Sequence, residues 1–163
     1  MYSESMRVSL ISVILMSCCC GALAAAQSAP PPTSDLPDYS GMYSFLKDGE
    51  FMQITLEEKG KVSGFISRYG DGENEKGAFL DQFINSGTSN GKQVTFTTEP
   101  VHGITYAFEG AFDRGPGKKP DEEAYFLLRG SLTRNAASPD GKSTTQTRQV
   151  EFRSFPRDAD APQ

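Results

Sequence analysis

Few residues of this chain are of types that do chemistry, and their spacing is sparse. His102 is the only histidine, so a metal site built from several imidazoles cannot form. His102-Gly103 follows Pro100 between two predicted strands, which makes His102 a turn residue first and a general base only as the lesser alternative. Ser-His-Asp catalysis would need a serine beside it, and there is no Gly-x-Ser-x-Gly elbow. The sequence also lacks a phosphate-cradling loop and a dinucleotide fingerprint. Asp71, Glu73 and Glu75 alternate within Tyr69–Gly77. Carboxylates clustered on a Gly-rich loop can bind Ca²⁺, but the EF-hand spacing is not met and Lys76 offsets one charge. A solvated loop is the expectation there, as it is for Asp113–Glu123 with Lys118, Lys119, Asp121 and Glu122. No catalytic residue, metal or cofactor is assigned, and the chain is expected not to be an enzyme.

Cys18, Cys19 and Cys20 are the only cysteines, and they lie in an apolar leader. Val8–Met16 has the length of a secretory signal core, and Ala22-Leu23-Ala24 and Ala24-Ala25-Ala26 both fit a signal-peptidase site. Residues 1–26 are therefore expected to be a signal peptide cleaved after Ala24 or Ala26, giving a secreted or periplasmic protein with no membrane span left. The alternative is a lipid anchor on Cys18, because Leu15-Met16-Ser17-Cys18 resembles a bacterial lipobox with Met16 as a departure. Simple cleavage removes every thiol, which excludes a disulfide scaffold and thiol catalysis.

About 135 residues remain, enough for one core. A net charge of −5 with no Lys/Arg cluster argues against nucleic acid and against anionic lipid. Pro30-Pro31-Pro32 and Pro37 mark 27–38 as an extended linker, and 157–163 reads as a polar tail. The domain is then 39–156.

Inside the domain the apolar period is two. Met52, Ile54 and Leu56 alternate with polar residues, as do Val94 and Phe96, then Ile104, Tyr106, Phe108 and Phe112, then Val150 and Phe152. Asp48-Gly49, Lys59-Gly60 and Asn90-Gly91 are hairpin signals. Strands are predicted near 41–47, 50–58, 61–69, 79–88, 92–99, 103–113, 123–134 and 144–155. The fourth is ambiguous, because Phe79, Leu80, Phe83 and Ile84 also suit a short helical face. Gly64, Gly110 and Gly130 sit inside strands, where glycine marks a bend that lets a sheet curl. Consecutive hairpins without crossover helices favour an all-β, antiparallel up-and-down barrel of about eight strands, with a two-sheet β-sandwich as the alternative. Closure would pair Gly41–Leu46 with Gln149–Phe155 and place Arg148 or Arg153 on the Tyr43 ring.

Gly41-Met42-Tyr43 opening the first strand, the glycine-marked strands and the arginine-bearing segment Arg148–Arg153 together resemble a calycin-type barrel, the group of lipocalins and avidins. The resemblance covers most of 39–156 and implies the fold. Tyr43 stands where lipocalins carry tryptophan, and the chain has no Trp, whereas avidins line the biotin site with several. The resemblance therefore argues against biotin.

A barrel of eight strands is either filled or holds one small ligand. Phe96, Tyr106, Phe108 and Tyr125 are the residues expected near such a cavity, with a filled core as the alternative. The leading expectation is an exported, non-enzymatic binding protein holding a small apolar ligand. The alternative is a protein-interaction or inhibitor module of the cell envelope with a protein partner.

Overall fold

The computed structural model describes residues 37–72, 75–138 and 140–157. The leader with Cys18, nearly all of the Pro-rich linker, Glu73 and the tail beyond Arg157 lie outside the described residues. Eight strands follow one another: β1 (Gly41–Ser44), β2 (Phe51–Leu56), β3 (Val62–Tyr69), β4 (Phe79–Asn90), β5 (Gln93–Thr98), β6 (Ile104–Arg114), β7 (Phe126–Ala137) and β8 (Ser143–Arg153). Each pairs antiparallel with the next, in one sheet of order β1 to β8. The architecture is the up-and-down form and not the sandwich, because a single sheet curls until its ends meet.

The ends meet at one point. Tyr43 and Ser154 form an isolated antiparallel bridge, and the Phe155 amide donates to the Met42 carbonyl at 2.9 Å. The Arg153 amide donates to Ser44 Oγ at 3.0 Å. β1 has only 4 residues against 11 in β8, so Ser143–Gln149 is exposed and the barrel stays open along that stretch. Closure therefore falls on the expected segments but is shorter than expected. The expected stacking of Arg148 or Arg153 on Tyr43 is not formed. Tyr43 packs near Phe112 and donates its hydroxyl to the Tyr39 carbonyl at 2.7 Å. The guanidinium beside it is that of Arg157, which donates to the carbonyls of Asp38 and Ser40.

Alternation builds the core. In β5, Val94, Phe96 and Thr98 are buried while Gln93, Thr95 and Thr97 are exposed. The inward aromatics pack on one another: Tyr39 stacks on Phe112 at 4.6 Å, Phe45 on Phe152 at 5.3 Å, and Phe45 meets Tyr106 edge-on at 5.4 Å. Offset and edge-on contacts of this kind add to the burial of the rings themselves.

The ambiguous fourth segment is a strand with apolar residues on both faces. Leu80, Gln82 and Ile84 take the inner side, and Phe79 and Phe83 the exposed outer side. A register shift between Ile84 and Ser86 then interrupts the alternation. Both features blur a period of two. Close approach explains two of the strand glycines: Gly110 and Gly130 face each other across β6 and β7, and a Cβ on Gly110 would lie 2.6 Å from the Phe108 ring.

Candidate functional site

Arg68, Arg134 and Arg148 occupy inward positions at the same end of the barrel. Arg68 continues the face of Ile66 on β3, Arg134 that of Leu132 on β7, and Arg148 that of Val150 on β8. Register brings them together: Tyr106 pairs with Arg134, and Leu132 with Arg148. They line a cavity of about 140 Å³ together with Tyr106, Asp71 and Glu50. It lies at the open stretch of the β1–β8 seam.

Arg68 is the anchor, with a side chain only 2 % exposed. Its Nε donates to Oε1 of the buried Gln82 at 3.3 Å, and Nη1 donates to the Tyr69 carbonyl at 3.0 Å and to Asp71 Oδ2 at 3.1 Å. Among the described residues nothing accepts from Nη2, which is buried. The guanidinium carbon lies 5.8 Å from the Tyr106 ring centroid. Gln82 is fixed in turn, because its amide nitrogen lies 2.7 Å from the carbonyls of Glu99 and Ile104 and 2.8 Å from Thr98 Oγ1. Thr98 Oγ1 also accepts the Tyr106 amide at 2.9 Å. A buried polar chain therefore runs from β6 through β5 and β4 to Arg68. Such a chain specifies geometry only when each member is satisfied, which makes the one orphaned donor conspicuous.

The rest of the wall is charged. Asp71 Oδ2 also accepts from Arg134 Nη2 at 3.2 Å. Glu50, 3 % exposed, accepts the amides of Tyr69 and Lys47, both at 3.1 Å. Burial pushes the Tyr106 phenol above its ordinary pKa, against the opposing pull of Arg68 and Arg134. A second cavity of about 260 Å³ shares Arg134 and Arg148 and is bounded by Leu132, Gln146 and Thr147.

The sequence-predicted residues are distributed unevenly. Phe96 and Phe108 are buried and stack on each other at 5.3 Å. Tyr106 alone of the four lines the charged cavity. Tyr125 precedes β7 at the opposite end of the barrel, where the Arg114 guanidinium lies 3.5 Å from its ring centroid. Asp71 keeps the solvent exposure expected of a loop carboxylate, at 43%, but it also bridges two arginines, which the sequence reading did not anticipate. His102 takes its expected turn, at φ 50° followed by Gly103 at φ 76°, and its Nδ1 meets the Glu75 carboxylate.

Solved structures share this architecture. Rhizavidin aligns with a TM-score of 0.55 and 15% identity, over 76% of this chain and 87% of that one. Intact afifavidin in its apo form aligns at 0.54 and 14%, over 79% and 90%. Apo shwanavidin aligns at 0.52 and 13%, over 74% and 98%. The fold is that of the avidins. At this identity the likeness establishes the barrel and leaves the site to its own residues. No protein-family model matches the chain, and no curated protein matches it.

A different surface lies on the outside of β2, β3 and β4. Phe51 and Phe65 are 6.0 Å apart, Phe65 and Phe83 5.9 Å, and Tyr69 and Phe79 4.6 Å. Phe79 and Phe83 are 48% and 55% exposed. Sequence reasoning missed this aromatic stripe because it assigned every alternating aromatic to the core. It missed Arg68 and Arg134 because it did not test inward positions for charge, and it set Arg148 against Tyr43 instead of at this cavity.

Proposed function

We propose that the chain is an exported, non-enzymatic binding protein that takes a small ligand at the open end of its barrel. The observation that carries this is a cavity walled by Arg68, Arg134 and Arg148, with Arg68 itself fixed by Gln82 and Asp71. Three guanidinium groups on one cavity wall suit an anionic group, because arginine makes charge-assisted hydrogen bonds in a planar, paired geometry. Export rests on the leader alone. The architectural likeness to rhizavidin, which has also been crystallised with biotin, supports a ligand-binding use of this barrel. The charged cavity moves the expectation away from an apolar ligand.

Native mass spectrometry of the protein purified from its own compartment tests the reading. A retained small molecule is the expected result. A bare chain, or one carrying only a second polypeptide, contradicts it. The aromatic stripe favours a second reading, a protein-interaction module of the cell envelope, because contiguous exposed apolar surface marks contact sites.

A further inference from the structure

We infer that the ligand enters with a carboxylate head, held between Arg68, Arg134 and Arg148 with the Tyr106 ring alongside. This rests on the small-ligand reading above and adds the chemistry of the head group.

The chain's own Asp71 shows that the spacing suits a carboxylate. A single oxygen, Oδ2, lies 3.1 Å from Arg68 Nη1 and 3.2 Å from Arg134 Nη2. Planar guanidinium groups and carboxylates match in charge and geometry. Asp71 does not exhaust the site, since Arg148 makes no ion pair among the described residues. The wall remains cationic: three arginines and Lys47 face only Asp71 and Glu50. Glu50 is already committed to two backbone amides. Cationic excess here contrasts with the −5 of the whole chain. Phosphate carries no apolar body, so a carboxylate with a short tail is the better match to the space beside the arginines. In the adjoining cavity, the floor at Leu132 and the aliphatic stems of Arg134 and Arg148 could flank a short tail, with Gln146 and Thr147 completing the lining.

Isothermal titration of the purified full chain with hexanoate, hexan-1-ol and inorganic phosphate tests the inference. Hexanoate should bind, hexan-1-ol should not, and phosphate should bind more weakly than hexanoate. Arg134→Gln, at a half-buried position, should weaken hexanoate about 10-fold or more. Arg148→Gln should weaken it in the same direction. Lys92→Gln, in the β4–β5 turn outside both cavities, should leave it unchanged. These variants avoid replacing Arg68, whose loss would disturb the fold. Equal binding of hexan-1-ol, tighter binding of phosphate, or indifference to Arg134→Gln overturns the carboxylate head. Silence from all three probes overturns it too. In each case a small molecule retained in the native mass spectrum still upholds the ligand reading, so the two claims fail separately.

Discussion

Arg68 and Asp71 form an unequal pair: Nη1 and Oδ2 are 3.1 Å apart, with the arginine side chain 2% exposed and the aspartate 43%. A buried guanidinium loses most of its hydration and depends on its partners to replace it. Asp71 is one of them, and it also fixes Arg134.

Asp71→Ala should therefore destabilise the domain by about 1–2 kcal/mol, less than for a fully buried pair because the carboxylate is wet. Asp140→Ala removes an exposed partner of Lys142 and should cost less than about 0.5 kcal/mol. Urea unfolding of the two variants checks this. Equal costs would mean that Arg68 does not depend on Asp71.

Gly110→Val tests the curvature of the sheet. The added side chain would run into the Arg129 carbonyl across the strand pair and into the Phe108 ring. Backbone cannot swing aside as a flexible side chain can, so the cost should reach about 3 kcal/mol or more. Thermal unfolding reads it. A neutral result would show that β6 and β7 do not approach as closely as described.

The inner tyrosines make the domain sensitive to alkali. Burial raises the phenols of both Tyr43 and Tyr106 above their ordinary value. In the unfolded chain they ionise near pH 10, while in the native protein they still hold their protons. Stability is therefore fully present below about pH 10 and falls as pH rises beyond it, as the unfolded state sheds protons first. Melting temperature followed from pH 8 to pH 11 should drop more steeply for the parent chain than for Tyr43→Phe. Parallel curves would place Tyr43 in contact with water.

The barrel was largely legible because alternation, hairpin glycines and strand glycines all point the same way. Val94–Phe96–Thr98 shows this for a single strand, where turn chemistry and burial agree. β4 was harder for a physical reason: Phe79 and Phe83 face outward, Leu80 and Ile84 inward, and a register shift follows. The charged site was written in the same alternation. Ile66 and Arg68, Leu132 and Arg134, and Arg148 and Val150 each put a cation on an inward face. What the sequence withheld was the register that gathers those cations at one end, because register depends on long-range pairing such as Tyr106 with Arg134. The bridging role of Asp71 was hidden for the same reason, since its Arg134 partner is 63 residues away.

The central claim is that the open, arginine-lined end of the barrel is where a ligand binds. Amide chemical-shift mapping of the chain, titrated with small molecules extracted from its own compartment, tests it most directly. The account predicts shifts at Asp71, Tyr106, Arg134 and Arg148, with Phe65, Phe79 and Phe83 unmoved. Shifts confined to Phe65, Phe79 and Phe83 would contradict it and place function on the outer aromatic face.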